Sequence, residues 1–282
     1  MRAYTISDGH GLQAAILPEK GATVISLRKN GEEFLYIDRD NLNSEERPRC
    51  GIPYVFPSFG RLENGQYAYN GKSYPMDIHG FGHTSCWRVV AFGENELRLC
   101  LSASDDSRKI YPFDFSTELT FRAKDGRLSI LQTYRNLGQT PMPLNFGFHP
   151  YFLTGQKERA EVRLSADICL DTVSGDRTDG PTVIRDQVRE DAQELCFLLA
   201  GVRSPMVFSA EPNGRRISIE FDENFPQAVV WKRRDKPFLC AEPISGGPNG
   251  LNTGEHLTLA PGEIRQAAVH FICDQQKGKS LW

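Results

Sequence analysis

Short runs in which apolar and polar residues alternate recur along most of the chain. In LRLCLSAS, Leu97, Leu99 and Leu101 fall on one side and Arg98 on the other; in ISIEF, Ile217, Ile219 and Phe221 repeat the pattern. A period of two puts successive side chains on opposite faces of a sheet, so such runs predict strands with one buried face. Strands are predicted over residues 22–27, 33–37, 87–92, 97–102, 116–121, 128–134, 162–165, 217–221, 228–231 and 267–272. Turn signals separate them: Lys29-Asn30-Gly31, Asn70-Gly71, Lys124-Asp125-Gly126, Asn213-Gly214 and Pro261-Gly262. Asn and Gly accept the positive φ that tight hairpins need. The segment 188–200 fits either a short helix lined by Leu195, Leu198 and Leu199 or, after a turn, a strand over 194–199. No long helical pattern and no internal repeat is present. Many short strands with regular turns predict an all-β fold, a large β-sandwich of twisted antiparallel sheets. The Gly-, Pro- and polar-rich stretch at 171–186 does not divide the chain, so one domain over 1–282 is expected.

Composition narrows the partners. Hydrophobic residues at 39% and charged residues at 24% describe a soluble globular protein with a substantial core. The net charge is −3, from 33 basic and 36 acidic residues, which gives no basic field for nucleic acid. The local cluster Lys232, Arg233, Arg234 has Asp222, Glu223 and Asp235 nearby. No run approaches the ~20 apolar residues that span a bilayer, and the N-terminus lacks the apolar core of a signal peptide. The seven cysteines are scattered, with no Cys-x-x-Cys pair and no zinc spacing. Reduced thiols in a cytoplasmic protein are expected, with no membrane partner and no metal.

Four segments are richer in unusual polar residues than a sandwich core requires: 51–83, 145–152, 217–231 and 237–252. In NFGFHPYF, His149 sits in an aromatic wall, with Pro150 biasing it toward an extended conformation. A core histidine bonded to the backbone would read the same way. In PFLCAEPISGGPNGLN, Glu242 ends an apolar run, where a carboxylate is costly unless it is paired or functional. An exposed glutamate capping a turn is the alternative. Arg61 offers fixed donors for hydroxyl oxygens or a surface salt bridge. His79 and His83 lie four apart, but Gly80 and Gly82 speak against a helix and hence against a helical metal pair. Trp87 and Trp231 fit either a sugar-stacking surface or packing.

Together PYVFPSFGRLENGQYAYNGKSYPMDIHGF, NFGFHPYF, PFLCAEPISGGPNG and LTLAPGE, in this order, resemble the aldose 1-epimerase family of the galactose mutarotase-like superfamily. The resemblance covers about residues 51–263, and the strands before Gly51 fit that family's N-terminal sheet. It implies a supersandwich with an open cleft on one sheet. It implies His149 as general acid and Glu242 as general base, with Arg61 and His79 binding the sugar. Asp222, in EFDENFPQAVVW, is the best match to the family's acidic sugar-binding residue, although Glu223 adjoins it and the spacing to the proline differs. It further implies no cofactor, a monosaccharide as the partner, and a monomer or homodimer. Three other readings are to be weighed. A hexose-6-phosphate 1-epimerase on the same fold would draw cations from Arg88 or from Lys232–Arg234. A non-catalytic carbohydrate-binding or sensing protein would not need both His149 and Glu242. A glycosidase would normally use two carboxylates.

Overall fold

A computed structural model describes residues 1–154, 159–180, 182–211 and 214–275. Two large sheets dominate. One has nine strands in the order Thr182–Arg185, Arg159–Ser165, Arg203–Glu211, Arg215–Phe221, Ile264–Gln275, Arg127–Asn136, Phe115–Lys124, Glu96–Ser102 and Arg88–Phe92. The other runs Arg177–Asp179, Ile168–Asp171, Glu194–Ala200, Gln227–Arg233, Phe238–Ile244, Gly147–Phe148 and Tyr54–Val55, with Tyr151–Leu153 also paired to Phe238–Ile244. The named pairs within both sheets are antiparallel. A four-stranded N-terminal sheet, Tyr4–Ser7 to Glu32–Glu33, packs alongside.

The alternation in the sequence is what joins the two sheets. Leu97, Leu99, Ile217 and Ile219 are fully buried and meet Phe148, Ala228, Val230, Leu239 and Ala241 of the second sheet in one hydrophobic cluster. The hairpins close as their turn residues predict: Asn30-Gly31, Asn70-Gly71 and Asp125-Gly126 all take positive φ. Gly214 does so too, while its neighbour Asn213 lies outside the described residues.

Two strand expectations are refined. Segment 188–200 contains the strand Glu194–Ala200, because it is laddered on both sides, to Ile168–Asp171 and to Gln227–Arg233. The strand expected over 33–37 shrinks to Glu32–Glu33 and a single bridge at Leu35. The Glu33 carboxylate accepts from the backbone N–H groups of Leu27, Phe34 and Leu35, taking donors that a ladder would use.

The second sheet has two buried faces. In Phe238–Ile244 all seven residues are buried. Leu239 and Ala241 face the first sheet, while Phe238, Cys240 and Ile244 belong to small clusters on the opposite face with Trp231 and Val229. Glu242 shares that opposite face and stands beside Val229 in register.

Candidate active site

That opposite face is the floor of a cleft of about 920 Å³, near the top of the roughly 300–1,000 Å³ usual for small-molecule sites. Four stretches of chain wall it: the Arg39–Asn43 helix with the loop after it, the segment from Pro53 to His83, the strand end at His149, and the sheet strands carrying Glu194 and Trp231. Among the sequence candidates, His149, Glu242, Arg61, His79, His83 and Trp231 all line it.

The catalytic candidates meet across two strands. Gly147 pairs with both Ile244 and Val55, and the His149 N–H donates to Pro53 O at 3.0 Å, fixing the imidazole over the sheet. Its Nε2 lies 3.4 Å from Glu242 Oε1. Glu242 is 1% exposed and His149 9% exposed. The contact is long for a hydrogen bond, and neither Glu242 oxygen nor His149 Nδ1 has a protein partner. Burial pushes the Glu242 carboxyl well above its usual range. Burial also pushes His149 down to about 3, with the Arg47 charge adding to the fall. A nearby carboxylate ordinarily raises a histidine pKa. Desolvation reverses that: in the free protein the pair favours neutral imidazole beside neutral carboxyl, holding one proton between them.

His79 is placed by its own backbone. It sits at φ +67°, its N–H donates to Gly60 O (3.0 Å), and its Nδ1 accepts from the Gly60 N–H (3.2 Å). A proton on Nε2 follows, since a neutral imidazole whose Nδ1 accepts must donate from the other nitrogen. Burial, then the charges of its histidine and arginine neighbours, hold it neutral. Its ring meets that of His149 edge-on at 5.3 Å. Buried His83 is pushed down to about 4 by burial and by Arg47. Trp231 stands edge-on to His149 at 5.7 Å and donates from Nε1 to Glu194 Oε2 at 2.9 Å. Trp87, by contrast, is packing: it is buried and donates to Gly82 O.

Asp222 requires correction. Its carboxylate is outside the cleft, accepting from the Ala268 N–H (2.7 Å) and from the Asn224 backbone and side chain at 3.0 and 2.9 Å. It braces the turn after Arg215–Phe221. The cations considered for a phosphate are displaced too. Arg88 is exposed on the edge strand of the nine-stranded sheet, and Lys232 Nζ donates to the Lys236 and Phe238 carbonyls. Arg234 donates to the Ala192 carbonyl, and Arg233, although it lines the cleft, is paired twice with Asp235. Among the cleft cations that sequence reasoning missed is Arg47. It lies in DRDNLNSEERPRC, which reads as a solvated charged loop, and only the fold brings that loop over the sheet.

One donor cluster has metal-like composition: single atoms of His149, Cys240 and Glu242 lie within 4.8 Å of one another. The Cys240 thiol is fully buried, and burial raises its pKa well above the usual value, so the thiolate that a soft cation requires is disfavoured.

Residues 2–271 match the family model described as aldose 1-epimerase. The chain is 24% identical over 237 residues to the uncharacterized protein YihR of Escherichia coli strain K12, covering 76% of each. Among solved structures it is similar to the Slr1438 protein from Synechocystis (29% identity, TM-score 0.89, 98% of this chain and 96% of that one). It is also similar in fold to a galactose mutarotase-like protein from Lactobacillus casei (21%, TM-score 0.83, 97% and 100%). A galactose 1-epimerase from Lactobacillus acidophilus shares the fold as well (17%, TM-score 0.72, 96% and 93%).

Proposed function

We propose, for a chain that belongs to the aldose 1-epimerase family, that it interconverts the α and β anomers of an aldose, with Glu242 as base and His149 as acid. The reading is carried by one observation, the 3.4 Å approach of His149 Nε2 to Glu242 Oε1 at the floor of the cleft.

Opening the ring needs a proton taken from the C1 hydroxyl and a proton given to the ring oxygen. Those two oxygens share C1, so acid and base must stand close together, as these two groups do. The C1 hydroxyl donates to the unpartnered Glu242 carboxylate and makes its charged form less costly. The neutral and charged pairs hold the same number of protons, so only one proton need pass from Glu242 to His149 as the sugar settles. Glu242 then takes the hydroxyl proton, the bond from C1 to the ring oxygen breaks, and His149 protonates that oxygen. The open-chain aldehyde now faces a neutral pair, the arrangement burial favours. After rotation about C1–C2 the steps run backward and the pair is restored. His79, with its proton on Nε2, and Arg61 donate to sugar oxygens.

Glu242→Gln tests this. It keeps the shape and removes the base, so kcat for mutarotation of fresh α-glucose or α-galactose should fall by about 10²–10⁴-fold. Sugar affinity should be kept. Polarimetry reads the rate and calorimetry the affinity; a near-normal rate rules out Glu242 as base.

A further inference from the structure

We propose that the aldose turned over here carries an anionic group, a phosphate, sulfonate or carboxylate, held by Arg47 with Arg61. The inference rests on the mutarotase reading and adds the substrate class to it.

Arg47 projects from the loop after the Arg39–Asn43 helix. That loop is shaped by hydrogen bonds that do not use the Arg47 charge: Asn41 Nδ2 to Arg47 O (3.1 Å) and Arg49 N–H to Asn41 Oδ1 (2.7 Å). The half-buried Arg47 guanidinium lines the cleft and, among the described residues, has no hydrogen bond or ion pair; nor does that of Arg61. The carboxylates nearby, apart from Asp40, are engaged elsewhere. Glu46, which acts on Arg47 only weakly, is paired with Arg49 at 3.5 Å. Asp38 caps the helix and accepts from Tyr36 Oη, Glu194 holds Trp231, and Asp40 is exposed.

Burial disfavours the Arg47 charge, and the guanidinium groups of Arg49 and Arg61 are close enough to add to that cost by repulsion. Such a grouping is unfavourable without an anion. Arg47, Arg61 and His79 all line the cleft, and the guanidinium groups and the His79 Nε2–H can only donate. Sugar hydroxyls both donate and accept, whereas a phosphate, sulfonate or carboxylate only accepts. The complement of these unpaired guanidinium groups is therefore a group that only accepts.

Catalysis gains from the same arrangement. Arg47 is one of the charges that push the His149 imidazole down. An anion on Arg47 relieves that push and favours the protonated acid that ring opening requires.

The test compares glucose with glucose 6-phosphate, glucuronate and 6-sulfo-glucose by two-dimensional exchange NMR, which reads anomer exchange above the spontaneous rate. At low salt, kcat/KM for at least one anionic sugar should exceed that for glucose by about tenfold or more. The preferred anion identifies the group. Arg47→Gln should cut that ratio by about 10- to 100-fold, mostly through KM, the range expected for one charge-assisted hydrogen bond. Arg47→Lys should keep part of it. Glucose turned over as well as all three anionic sugars, or Arg47→Gln lowering every substrate alike, overturns the proposal. Calorimetry separates this failure from that of the mutarotase reading. Arg47-dependent preference for an anionic sugar without exchange would refute the catalysis and keep the anion site. Equal binding of all four sugars would refute the anion site alone.

Discussion

Glu242 and His149 show how little of a side chain's chemistry resides in its identity. A free glutamate is charged at neutral pH and a free histidine partly so. Here burial drives both toward neutrality, the carboxyl upward and the imidazole down to about 3. A second proton joins the pair only as pH falls toward the lower of these values, and the single proton leaves only above the raised carboxyl value. The competent one-proton state therefore spans the ordinary histidine range. We expect kcat/KM to stay level from pH 5 to 7; a clear inflection near 6.5 in the exchange-rate profile would reveal an imidazole in water-like surroundings and contradict this. The residue types were legible in the sequence, and the ordered motifs drew attention to both. Their charge states were not, since those depend on what the fold packs around them. Asp222 illustrates the converse: an acidic residue near a proline matched a pattern, yet its oxygens are spent on Ala268 and Asn224.

At the level of elements, the strand Phe238–Ile244 and the short strand Gly147–Phe148 set the distance between Glu242 and His149. Their contact depends on Gly147, where an added Cβ would lie 2.6 Å from Pro243 O and 3.1 Å from Ile244 Cα. These are backbone atoms of the strand that carries Glu242, so they cannot swing aside. Gly147→Ala should cost about 1–3 kcal/mol by overpacking and should lower kcat as His149 shifts against Glu242. Urea unfolding alongside exchange rates checks both; a fully stable, fully active variant would show the two strands are not locked together. Alternating strands such as Glu96–Ser102 were readable from the sequence because only one of their faces is buried. In Phe238–Ile244 the apolar run before Glu242 reads as a strand, but with both faces buried it does not alternate, so the pattern does not say which face Glu242 takes. The charged loop with Arg47 was opaque for the opposite reason, being polar enough to pass for solvent-exposed surface.

On the scale of the whole molecule, the same burial that tunes the cleft couples it to stability. His79, His83 and His149 are all held below their unfolded value of ~6.5, so each gains a proton on unfolding as pH falls through that value. Glu242 works the other way, keeping in the fold a proton that the unfolded chain sheds above ~4.3. Three gains against one loss leave about two protons taken up on unfolding near pH 5.5. From these groups, stability should drop by about 2 kcal/mol between pH 6 and 5, read as a falling Tm; a Tm that holds or rises over that interval would contradict it. The two-sheet architecture followed from strand alternation and hairpin turns. The cleft followed from neither, because its walls come from segments distant in the chain that only the folded chain gathers over the second sheet. One of those walls has an optical consequence. The Trp231 indole borders the His149 imidazole, while that of Trp87 is sealed in the interior. Of the protein's three tryptophans, these two thus give its ultraviolet emission one component that senses the cleft and one that does not, so the arrival of a ligand can be followed without attaching a dye.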